Sequence, residues 1–254
     1  MNGLGPLLRK ELLEQWRTRR LLVVVVVFVA LGIASPFLAR YTPELIQALG
    51  GVPFEIEFPE PTVRDSVDQF LKNLGQVGIL SAILLAMGSV ATEKERGTAA
   101  LILSKPASRA AYLGAKLIAL TATLTVAMAV ASAAGYFYTA LLFDAPPAAG
   151  WAGMSGLLLI SLLAYLALTF VGSTLTRSAV AAAAIGIAGM IGLAIVSALP
   201  NLAPYLPAGL SGAPARALGL GIDPGSLIGP LAANVGIVLA LVALAWLAFR
   251  RQEI

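Results

Sequence analysis

Residues 74–98 read LGQVGILSAILLAMGSVATEKERGT. The first part, Leu74–Ala91, is uncharged and long enough to cross the hydrocarbon core of a bilayer, which takes about 18–20 apolar residues in a helix. The second part, Thr92–Thr98, sets Glu93, Lys94, Glu95 and Arg96 directly ahead of Gly97. An apolar run that ends in dense charge is a span reaching water. Ser104-Lys105-Pro106-Ala107-Ser108-Arg109 follows, and then Ala110–Phe143, whose only charge is Lys116.

The same reading extends outward along the chain. Runs 21–39, 74–91, 110–143, 151–174, 179–199 and 229–249 are each of spanning length. Backbone groups in lipid must bond within their own segment, so each is expected to be helical. The 254 residues are 59% hydrophobic and 12% charged, about half the charge of a soluble domain. The expected fold is an all-α membrane protein of six spans, forming one transmembrane domain over 1–254 with no cleavable signal. The absence of cysteine and histidine excludes disulfides, thiol nucleophiles and histidine proton relays.

Charge distribution orients the spans. Arg9, Lys10, Arg17, Arg19, Arg20, Lys94, Arg96, Lys105, Arg109, Lys116, Arg177, Arg250 and Arg251 fall on one side. Only Arg40, Arg64, Lys72 and Arg216 fall on the other, which carries Glu44, Glu55, Glu57, Glu60, Asp65, Asp68, Asp144 and Asp223. The positive-inside rule places the first set, and both ends of the chain, in the cytoplasm. The net charge of +4 thus reads as topology and not as a nucleic-acid footprint.

Residues 1–20 are expected to form an amphipathic elbow helix in the headgroup plane. Leu4, Leu8, Leu12 and Trp16 recur every four residues, with Arg9, Lys10, Glu11, Glu14 and Arg17 on the other side. In the external segment 40–73, Pro43–Leu49 reads as a short helix of its own, Phe54–Pro61 as extended, and Thr62-x-x-Asp65 as a capping box. That box starts a helix with Val63, Val67, Phe70, Leu71 and Leu74 on one face, feeding the second span and read as a lid on the membrane surface.

The run 110–143 would be about 50 Å long as a helix, against a core of about 30 Å, so it must tilt or project into the cytoplasm. Ala115, Ala119, Thr123, Ala127, Ala131, Gly135 and Thr139 recur along it at a spacing of four. Ala184, Ala188 and Gly192 repeat that spacing in the fifth span, with Gly186 and Gly189 nearby. Small faces permit close helix approach, so both rows are expected to be packing faces. The external segment 200–228 is apolar yet rich in proline and glycine, which reads as a re-entrant or interfacial element.

No span is expected to hold a buried acid or ion pair, which argues against an ion-driven secondary carrier. No GxxxxGK[ST] loop is present, so energy for any powered transport comes from another polypeptide. Attention falls on the cytoplasmic loop 92–109. Glu93 and Glu95 can meet basic groups of a partner, Gly97 allows a sharp turn, Thr98 can cap a short helix through Leu103, and Pro106 suits the start of the third span. A membrane scaffold or assembly factor anchoring a cytoplasmic protein would use the same loop.

The stretch ATEKERGTAALILSKPASRAAYLGAKLI resembles the first cytoplasmic loop of permease subunits of ATP-binding-cassette (ABC) transporters of the type-2 exporter class. The matching positions are Glu93, Glu95, Arg96, Gly97, Thr98, Pro106, Ser108, Arg109 and Lys116, with Lys10-Glu11 ahead of the first span. In size the chain is similar to the compact nitrous-oxide-reductase maturation permease subgroup. The resemblance implies a non-enzymatic permease in a prokaryotic cell membrane, forming the substrate path with a second identical or related copy. It implies export driven by two cytoplasmic ATPase subunits, which bind the ATP and magnesium. It also implies that loop 92–109 is the coupling helix seated in the ATPase. It leaves the substrate open.

Overall fold

The computed structural model describes residues 3–50, 60–104, 107–212 and 225–252. Among them, six helices are long and apolar enough to cross a membrane. They are α2 (Arg20–Gly50), α3 (Val63–Met87, its apolar stretch running on to Glu95), α6 (Arg109–Leu142), α7 (Ala148–Leu175), α8 (Ala179–Val196) and α10 (Gly225–Arg250). Helix α1 (Leu4–Arg17) precedes them, and α4 (Ala91–Glu95) and α5 (Thr98–Leu103) link α3 to α6. A 3-10 turn (Ala203–Tyr205) and α9 (Pro207–Gly212) lie before the last span. No strand occurs among the described residues. The chain is an all-α, multi-pass membrane protein.

Helix α7 is the most deeply buried span, and α3, α6 and α10 pack on it. The row of small residues on α6 is buried along its whole length. It lets α2 come so close that a Cβ on Gly32 would sit 2.6 Å from the Ala131 carbonyl oxygen. Farther along, Gly135 leaves room for Phe70, whose ring lies 4.9 Å from that of Trp151.

Three expectations change. Pro43–Leu49 is not a separate helix: α2 runs unbroken through Pro36 and Pro43 to Gly50. A proline removes one backbone bond and bends the axis, but a helix end would expose several bare backbone groups. The residues after the Thr62 box are not a lid but the first turns of α3. Val67, Phe70, Leu71 and Leu74 are buried in the core, and Ser66 shares a 2.8 Å hydrogen bond with Thr139 of α6. The box itself forms, with Asp65 Oδ2 accepting from the Thr62 backbone N–H at 2.8 Å and from its hydroxyl at 2.7 Å.

The third change concerns α8. Ala184 and Ala188 are exposed, and a Cβ on Gly192 would touch nothing within 4 Å. The face against α7 is Ala182, Gly186 and Gly189, the two glycines lying under Thr169 and Leu168. Two positions along a helix turn the direction by about 200°. The row at 184, 188 and 192 therefore looks away from the bundle. Most of 51–61 and all of 213–224 lie outside the described residues. In the described part of the 200–228 segment, Leu210 of α9 is buried against the bundle and Asn234 of α10 donates to the Tyr205 carbonyl at 3.1 Å.

Gly32→Val forces backbone apart where α2 meets α6, whereas Gly192→Val adds bulk to open space. We expect Gly32→Val to cost about 1–3 kcal/mol, the usual range for overpacking. Gly192→Val is expected to leave the thermal midpoint of the detergent-solubilised monomer within a degree or two, as is usual for changes that disturb no packed contact. Parallel thermal unfolding of the two variants checks both.

Candidate functional site

The motif residues gather at one end of the bundle. Helix α3 stops at Met87, and after a turn the chain resumes as α4 at Ala91. Ser173 of α7 bridges this break. Its hydroxyl donates to the Met87 carbonyl at 2.8 Å and accepts from the backbone N–H groups of Val90 and Ala91, each at 3.0 Å. Gly97 then turns the chain in the left-handed region, φ +69°, where a side chain would be strained. Thr98 is the first residue of α5 and not its cap; its hydroxyl donates to the Glu93 carbonyl at 3.2 Å and closes the turn. Helices α4 and α5 thereby form a compact hairpin.

Beneath the hairpin lies a cluster of charge. Glu93 is turned inward, its side chain 15% exposed. Its Oε1 meets Lys10 Nζ at 2.6 Å and Lys116 Nζ at 2.9 Å, and its Oε2 accepts from the Tyr112 hydroxyl at 2.6 Å. Lys116, 2% exposed, also meets Glu11 at 3.0 Å and lies 5.1 Å from the centre of the Tyr112 ring. Lys10 touches Glu11 at 2.9 Å and Glu14 at 3.3 Å. Burial alone would lower the Lys10 pKa, but the hydrogen bonds and charges of Glu93 and Glu11 outweigh it and raise the value above the ordinary 10.5. Glu11, Glu14 and Glu93 come close enough together to hold a metal ion, yet Lys10 already reaches all three. The protein supplies its own cation there.

This cluster overturns the expectation that no span holds an ion pair. Lys116 sits two turns inside α6, and its cost in a poorly solvated place is met by two carboxylates from outside its own helix. It also changes the picture of α1. Glu11 and Gln15 are buried and Lys10 faces the cluster, while Leu12, Leu13 and Trp16 are exposed. The apolar face is available to lipid, Arg9 and Arg17 are exposed, and Lys10 and Glu11 serve the interior.

A second set of contacts ties the hairpin end to the last span. Arg109 Nη1 donates to the carbonyls of Phe249, Arg250 and Gln252 at 3.3, 3.0 and 2.8 Å. These oxygens lie at the end of α10, where a cation is favoured. Lys94 donates to the Thr174 carbonyl and to Gln252 Oε1, both at 2.8 Å. Ser108 caps α6, accepting from the Ala111 N–H at 3.1 Å. Pro106 lies outside the described residues.

The motif thus divides in two. Glu93, Thr98, Ser108 and Arg109 are spent on contacts within the chain. Glu95 and Arg96 are exposed on the hairpin, and Leu101 of α5 presents a large apolar side chain at 68% exposure. Sequence reasoning had placed Glu93 beside Glu95 as a group facing outward, and it missed Ser173, Lys94 and Gln252. One signal for the cluster was available: Tyr112 and Lys116 are four apart, on one face of a helix otherwise without charge after Arg109.

Removing one member of such a cluster leaves an uncompensated charge. Lys116→Met is expected to destabilise the protein by about 3 kcal/mol, the low end for breaking a buried pair. Glu93→Gln added to Lys116→Met is expected to cost less than the two single changes together. A double-mutant cycle of denaturant unfolding in micelles, with a coupling above about 1 kcal/mol, checks this.

Comparison with known proteins follows the same outline. Residues 6–205, from α1 through the 3-10 turn, match the family described as "ABC-2 family transporter protein". The chain is also similar to the "Uncharacterized transmembrane protein YxlG" of Bacillus subtilis (strain 168), at 31% identity over 212 residues, covering 82% of each chain. The matched region contains most of α1, the hairpin and the ionic cluster together, and the chain belongs to the ABC-2 family of transporter membrane proteins.

Proposed function

We propose that this chain is the permease subunit of an ABC exporter, powered in trans by two cytoplasmic ATPase subunits that bind ATP and magnesium. Members of the family generally partner with ABC ATPases. The observation that carries the reading is the division of the motif. A short helical hairpin is held from below by Lys10, Lys116 and Ser173 while Glu95, Arg96 and Leu101 face outward. A rigid protrusion with an apolar centre and two opposite charges suits a protein partner better than bulk water. The basic bias of that end supports a cytoplasmic location, and the Bacillus subtilis relative supports a prokaryotic cell membrane.

In this reading Glu93 is a strut and not a contact. A push on the hairpin passes through Glu93 to Lys116, and so to α6, and through Lys10 to α1. It also passes through Arg109 and Lys94 to the end of α10. A second permease copy, identical or related, completes the substrate path. The small face of α8 at Ala184, Ala188 and Gly192, which none of the described residues packs against closely, is of the kind that such a copy packs against.

The experiment is co-purification with an ABC ATPase, expected from a neighbouring gene, with ATPase turnover as readout. Glu95→Lys, Arg96→Glu and Leu101→Asp combined are expected to lower ATPase association at least tenfold, or about 1.4 kcal/mol, with the thermal midpoint unchanged. A scaffold would hold the ATPase without altering its turnover. Retained association and turnover in the combined variant sinks the hairpin as the seat.

A further inference from the structure

We propose that the cavity enclosed by α1, the start of α2 and the α4–α5 hairpin binds a phospholipid headgroup. Arg20 and Arg96 would take its phosphodiester, and Gln15 would accept from a headgroup hydroxyl or amine. The cavity holds about 300 Å³. Its wall carries four cations, Lys10, Lys116, Arg20 and Arg96, against three carboxylates. The two lysines are already paired with those carboxylates. Arg20 and Arg96 have no carboxylate within ion-pairing distance among the described residues. One negative charge balances the site, and a phosphodiester carries one.

Gln15 supplies the second, independent requirement. It lines the cavity at 6% exposure, and its Oε1 finds no donor among the described residues. A buried carbonyl left without a donor is costly, so the site calls for a ligand that brings an O–H or N–H together with its anion. The position fits a lipid. Arg20 begins the first span, Gly88 and Leu120 line the inner wall, and the adjoining face of α1 presents Leu12, Leu13 and Trp16 outward. A headgroup there has its phosphate at the level where spans end and its acyl chains beside an exposed apolar face. Phosphatidylglycerol has both the single negative charge and the hydroxyls. Phosphatidylcholine has the phosphodiester but no donor.

The inference rests on α1 lying at the membrane surface; it shares Arg96 with the proposed ATPase seat, so lipid retention is read on the chain without ATPase, where the failure of one reading shows apart from the other. The test is native mass spectrometry of the full chain in detergent, offered phosphatidylglycerol, phosphatidylcholine or soluble glycerol 3-phosphate. Phosphatidylglycerol is expected to be retained about tenfold over phosphatidylcholine, the factor that satisfying one buried acceptor confers. Arg20→Gln with Arg96→Gln should remove that retention, and Gln15→Leu should erase the preference over phosphatidylcholine. Arg9→Gln, on the exposed side of α1, should change nothing. Should the double variant not fold, Arg96→Gln alone, on the exposed hairpin, reads the same contact. Equal retention of the two lipids by the unaltered protein, or full retention by the arginine variants, overturns the proposal. Displacement of the lipid by equimolar glycerol 3-phosphate does so too, since it would make the occupant a soluble phosphate ester.

Discussion

An ammonium group two turns inside an apolar helix cannot stay unpaired. Lys116 is in that position, and no residue of its own helix can neutralise it. Glu93 and Glu11 do, and they come from two separate elements: one from the hairpin after α3, the other from α1. Lys10 then balances the second negative charge. A single desolvated cation therefore fixes where two otherwise peripheral elements must lie. Hydrophobic burial could not do this alone, because lipid is as apolar as the helix faces it would separate.

The rest of the hairpin end follows from backbone accounting. Stopping α3 at Met87 and restarting at Ala91 leaves amide groups without helical partners, and one hydroxyl, that of Ser173, serves two of them. The end of α10 leaves carbonyls exposed, and Arg109 serves three. Charged groups of loop 92–109 thus do two kinds of work. Those facing in complete the structure, and those facing out are left over for something else.

How much of this was legible in the sequence depends on how local each constraint is. The six spans were, because lipid imposes helix on any long apolar run. The Thr62–Asp65 box and the buried row on α6 were also legible, since each is a relation between residues a few positions apart. The rotation of α8 was not. That helix is apolar all round, so only the neighbour across from it decides that Gly186 and Gly189 face in and Ala184 and Ala188 face out. Nor was the inward turn of Glu93. A carboxylate between Thr92 and Lys94 looks solvated until a lysine far along the chain is seen to need it. Pro43 misled for a related reason: a proline reads as a boundary, but in a span the helix loses less by bending than by stopping.

The Arg109 contact has a consequence for the order in which the molecule is completed. The hairpin sequence ends at residue 103, yet beyond Lys10 and Lys116 its fastenings are Ser173, the Thr174 carbonyl and residues 249–252. During synthesis these emerge after the hairpin has long left the ribosome. A nascent chain with four spans inserted carries the right hairpin residues on a loop only partly fastened, with no Gln252 for Lys94 and no carbonyls for Arg109. The shape that a partner would read is finished only when the sixth span has docked. Recruitment by shape would therefore also act as a check that the membrane domain is complete.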